Sequence, residues 1–147
     1  MTSPSVGPEM VGGSTTLTAT TGEIGTGQGK WLTLTVPAEP DYLAALRSLV
    51  AAIAAHSGLP MAACDRARAA AHEAARIVME LLKSGSLMCT ILENEMHIKV
   101  TISGNTNPII IDTTDVAWVL LNSAADTVTV EELLPVSQIC FTIGMGE

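Results

Sequence analysis

Two helix-patterned segments in direct succession constrain this chain more than any other feature. They lie between two strand-patterned runs, WLTLTV (31–36) and SLMCTILE (86–93). In the first segment, acidic Glu39 and Asp41 sit at the start, Leu43, Leu46, Val50 and Ile53 mark one face, and Gly58 stops it. The second begins at Pro60, a good first-turn residue, and is predicted to run to about Lys83. Met61, Cys64, Ala67, Ala71, Ala74, Val78 and Leu81 form its stripe, and Gly85 ends it. A hairpin follows, SLMCTILE (86–93) and EMHIKVTIS (95–103) around a turn near Asn94, and then the loop GNTNP (104–108). A third helix is predicted over about Thr114–Ala124, before two strands, DTVTVEEL and SQICFTIG, that turn near Pro135. The order is β-α-α-β-β-α-β-β. Paired helices cannot interleave with a purely parallel sheet. The expected class is therefore α/β: a two-layer sandwich of one mixed, largely antiparallel sheet with three helices on one face.

Composition narrows the function classes. At 147 residues, 48% hydrophobic, one domain with a real core is expected, and with 3% aromatics that core must be aliphatic. The net charge of −8 argues against nucleic acid, whose phosphates need a basic stripe, and disfavours an anionic membrane surface. It permits a basic protein partner. Cys64, Cys89 and Cys140 are too widely spaced for a disulfide framework or a zinc site, so reduced, buried thiols and a cytoplasmic location are expected. MTSPSVGPEM shows no basic segment leading into an apolar run, and the longest apolar stretch, Leu49–Ala55, is too short to span a bilayer. Residues 1–28, rich in Gly, Thr, Ser and Pro, read as a flexible arm ahead of a domain over 29–147. Within the arm, GEIGTGQGK fails as a phosphate loop: Ile24 falls where the first glycine belongs, and Trp31 follows the lysine.

AHEAARIVMELL (71–82) carries the functional question. At about 100° per residue, Cys64, Ala75, Val78 and Leu82 cluster near Ala71, with Glu73, Arg76 and Glu80 on the far side. Ile77 falls at the margin, one turn from Glu73 on a shared strip of surface.

Element order and residues together resemble the RsbW-type anti-sigma factors, serine kinases with the GHKL (Bergerat) ATPase fold, over about residues 30–143. VPAEPDYLAALRSLVAAIAAHSGL is similar to the family's first strand-to-helix segment, ACDRARAAAHEAARIVMELL to its second helix, and VAWVLLNSAADTVTV to its third helix and following strand. The family's second helix carries Glu-x-x-x-Asn, the Glu helping to activate the reacting hydroxyl and the Asn holding Mg²⁺. Here Glu73 is the vestigial Glu, and Ile77, which has no oxygen for a hard cation, stands at the Asn position. The family's Asp-x-Gly, whose Asp accepts from the adenine amino group, matches ISGN, which puts the weaker acceptor Ser103 at the Asp position. The family's glycine-rich lid matches NTNPIIIDTTDVAW, which has no glycine after Gly104, and Ile109–Ile111 cannot form the phosphate-binding nest. With three parts of one site replaced, neither catalysis nor a cofactor is expected, and Glu73 should be a solvated or salt-bridged surface residue near Arg76 or His72.

The family grips its sigma factor through the first helix, usually as a dimer, and an Arg contributes. The matching residue is Arg47, expected to be exposed; pairing with Tyr42 or Asp41 is the other reading of it. His56, His72 and His97 lack metal-ligand spacing. The resemblance thus implies a non-catalytic anti-sigma-like regulator that binds a sigma factor or a STAS-type antagonist, with a homodimer open. The alternative is an ATP-dependent serine kinase with an atypical site, Mg²⁺ held by Asp112 or Asn105. A plain interaction module unrelated to sigma factors is a third reading.

Overall fold

The computed structural model describes residues 18–24, 29–94, 96–106, 109–110, 112–133 and 136–144. The strands are β1 (Thr18–Ile24), β2 (Gly29–Pro37), β3 (Leu82–Asn94), β4 (His97–Thr106), β5 (Thr127–Leu133) and β6 (Val136–Gly144). The helices are α1 (Leu43–His56), α2 (Met61–Leu81) and α3 (Val116–Ala124), with a 3₁₀ turn at Pro40–Tyr42 ahead of α1. The strands form one sheet in the order β1-β2-β3-β4-β6-β5.

Every pairing in that sheet is antiparallel, where a mixed sheet was expected. The connections explain this. α1 and α2 carry the chain down and back, so β3 begins beside the end of β2, with Pro37 opposite Ser86. The single helix α3 makes β5 run in the same direction as β4, but β6 lies between them.

Local signals set most boundaries. Pro37 closes β2, and Gly58, at φ +92, turns the chain out of α1. Asp115 caps α3 by accepting from the Ala117 amide at 2.8 Å. The end of α2 differs from expectation. The helix stops at Leu81 and Leu82 is already extended, so Lys83 belongs to β3. Gly85, at φ +89, sits where the β3–β4 register shifts and does not end the helix. The flexible arm expected over residues 1–28 is corrected at one stretch. Thr18–Ile24 is an edge strand paired along β2, while residues 1–17 and 25–28 lie outside the described residues. Threonine is β-branched and suits an edge strand without supplying apolar bulk.

The helices cover one face of the sheet. Along β4, Ile98, Val100 and Ile102 are fully buried, while Lys99, Thr101 and Ser103 alternate onto the other face. Ile139, Phe141 and Ile143 of β6 join them in one core with Leu87, Cys89 and Ile91 of β3. Each such large side chain contributes about 1.5–3 kcal/mol on burial. α2 packs against both α1 and α3 and over β4 and β6. Its buried surface is mostly alanine (Ala63, Ala67, Ala70, Ala71, Ala74 and Ala75), with Cys64, Glu73 and Val78, which lets its backbone approach closely. Met61 was expected on that stripe but is 80% exposed, because it occupies the first helical residue, beyond the packed turns. The three cysteines are free and buried. Among the described residues, no helix is long and apolar enough to cross a membrane.

Candidate functional site

Glu73 lies in the middle of α2 and is buried, not on a solvated surface as expected. The cause is packing from both sides. α1 and α3 flank α2, so its buried arc is wider than its own periodicity suggests. The expected salt bridge is present: Arg76 donates from Nη1 to Glu73 Oε1 at 3.2 Å. The same guanidinium reaches Glu80 at 3.6 Å. Glu73 is thus a paired carboxylate inside the helical layer.

One turn on, Ile77 is half-buried and packs against the core. It presents hydrocarbon where the resemblance would place a magnesium ligand. Magnesium demands oxygen donors in near-octahedral geometry. Glu73, already bonded to Arg76, and Ile77 do not make a donor set that fits that ion. Among the described residues, no three His, Cys, Asp or Glu side chains converge on a point. Of the substitute ligands, the Asp112 carboxylate accepts from the Thr114 amide at 2.9 Å and from its hydroxyl at 2.6 Å. Those two bonds hold its pKa below the usual value. Asn105 is exposed near the end of β4.

Ser103 is separated from this helix by the sheet itself. It pairs with Met88 and Gln138 on the face that the helices leave open. Placing the motif's glycine on Gly104 would move its aspartate position to Ile102, which is fully buried. A Cβ at Gly104 would lie 2.5 Å from Leu82 Cδ2 and 3.4 Å from Val78 Cγ1, so aliphatic side chains already fill that space. The structure brings Glu73 and Ile77 together on α2 and leaves Ser103 on the far face.

Arg47 stands between α1 and α2. Its Nη1 donates to His72 Nδ1 at 3.1 Å, so it is half-buried, not fully exposed, and pairs with neither Tyr42 nor Asp41. As arginine can only donate, Nδ1 of His72 is the acceptor. His56 closes α1 and bonds Glu93 at 2.6 Å across to β3. Near Arg47, an open groove of about 620 Å³ runs between α1 and α2, lined by Ala51, Ala55, Leu59, Met61 and Cys64, with Asp65 and Arg68 at its rim. The small residues Ala51, Ala52 and Ala55 of α1 were its only sequence signal. A smaller concavity of about 300 Å³ on the open sheet face is lined by Trp31, Thr90, Leu92, Lys99 and Thr101. It was missed because its residues come from three strands and meet only through register.

No protein-family model matches the chain, and a search of curated proteins finds no match.

Proposed function

We propose that this chain is a non-catalytic regulator of the anti-sigma type, acting by binding a sigma factor or a STAS-type antagonist. The observation that carries the reading is the α2 pair: Glu73 is tied to Arg76, and one turn away Ile77 gives the metal position only hydrocarbon. Phosphoryl transfer rests on positioning and charge neutralisation, and this pair supplies neither to a magnesium–nucleotide. Regulation then works by occlusion, with the protein covering a sigma-factor surface that core RNA polymerase needs. Release comes from a competing partner. The α1–α2 surface supports the binding half of the reading, since Arg47 lies beside a largely apolar groove whose lining includes the ion pair of Arg68 with Asp65, at 2.9 Å.

The test is to mix the purified chain with sigma factors and STAS-domain proteins of its source, with labelled ATP present. The expected outcome is a stable complex and no label on either partner. Arg47→Ala should weaken the complex about tenfold without changing the fold. Label on a serine of the STAS protein would establish the kinase alternative. Complex formation unchanged by Arg47→Ala would move the partner surface away from α1.

A further inference from the structure

α3 is apolar on both sides. Ala117 and Leu121 face the core, but Val116, Val119 and Leu120 form an opposite face that is 67%, 47% and 45% exposed. Their spacing of three and four residues puts them on one arc of the helix. Asn122 and Ser123 are exposed in the last turn, so the apolar outer face occupies the first turns of the helix, and it lacks a cover within the described chain.

The charge at the N-terminal end of that face is negative. Asp115 caps the helix and is exposed, and Asp112 is exposed in the turn that leads into it. From residue 100 to the C-terminus the chain has Asp112, Asp115, Asp126, Glu131, Glu132 and Glu147, and no Lys or Arg. Arg66 of α2 reaches this region, but its guanidinium is bonded to Asp126.

We infer that the outer face of α3 docks an amphipathic helix of a partner protein whose apolar stripe is flanked by Lys and Arg. The complementary charge selects this occupant. An anionic membrane would be repelled by Asp112 and Asp115. A second copy would bring no Lys or Arg on its own α3 segment to pair with those carboxylates. A basic helix places its stripe on Val116, Val119 and Leu120 and its cations beside the two aspartates. The inference builds on the reading of this chain as a binding protein and identifies a second surface for it, distinct from Arg47.

The experiment titrates a synthetic leucine–lysine amphipathic peptide into the full chain, with calorimetry as readout and a sequence-scrambled peptide as control. Val116→Ser with Leu120→Ser should weaken binding about tenfold or more while the melting temperature stays near that of the parent chain. Asp112→Asn with Asp115→Asn, which keeps the turn and the helix cap, should weaken binding and flatten its salt dependence. Glu39→Gln with Asp41→Asn, at the start of α1, should change nothing. Equal losses in all three pairs, or equal binding of the scrambled peptide, would overturn the inference in favour of diffuse charge attraction. So would vesicles of anionic lipid, or self-association, that Val116→Ser with Leu120→Ser abolishes. Stabilisation by Mg-ATP would remove the non-catalytic reading and leave the α3 result standing. Failure of the peptide titration alone would remove only the α3 surface.

Discussion

Cys89, on β3, is completely buried in the core, and burial pushes its thiol up to about 12 from an ordinary 9.0. Its protonated form is the one the folded state holds. The associated stability is complete below pH 9 and declines as pH rises toward 12, because only the unfolded chain releases the proton in that window. The slope from this group is about 1.4 kcal/mol per pH unit. Denaturant titrations of the parent and of Cys89→Ala across that range should diverge by that slope, and the native thiol should resist alkylation at neutral pH. Equal slopes would mean that the site admits water. At this scale the sequence was readable where chemistry is local. The Arg76–Glu73 pair follows from a spacing of three on a helix. The burial of Glu73 did not follow, since a helical wheel records a helix's own period and not what packs beside it. Ser103 could have been placed: in HIKVTIS the apolar residues alternate, so the polar ones must share the opposite face.

Besides its packing over the sheet, α2 is tied to the end of β6 by the Arg66 side chain. Arg66 donates to the Ala124 carbonyl at 3.0 Å, to Asp126 at 3.0 Å and to the Gly144 carbonyl at 3.2 Å. Asp126 in turn accepts from the Gly144 amide at 2.7 Å. The group ties together α2, the C-terminal end of α3 and the end of β6. Arg66→Ala should lower stability by about 2 kcal/mol, seen as a reduced denaturant midpoint with an unchanged slope. Lysine should not restore it, because one ammonium cannot span three acceptors. Faster amide exchange should be confined to α3 and the start of β5. Helices were the most legible elements, because α1 and α3 carry both periodicity and stop or cap residues. β1 was not legible. TATTGEI lacks the bulky alternation that marks a half-buried strand, and only its pairing with β2 reveals it.

At the scale of the whole molecule, element order led to a two-layer α/β arrangement with its helices on one face, and the sheet has that form. The direction of its strands depended on connections: paired helices return β3 against β2, and β6 separates the two strands that run alike. The charge of −8 is likewise uneven, with every Lys and Arg at or before residue 99. Its bearing on α3 shows only when Asp112 and Asp115 are seen at the start of an exposed apolar helix face. The central claim, that α2 does not serve a magnesium–nucleotide, can be tested by thermal unfolding with and without Mg-ATP. A nucleotide present at a hundred times its dissociation constant would contribute about 2.7 kcal/mol. For a chain of this size that raises the melting temperature by about 5–10 °C. The expected result is a melting temperature unchanged by Mg-ATP, both for the parent chain and for Ile77→Asn, which supplies only one of the three groups such a site would need. A rise of several degrees in the parent chain would contradict it.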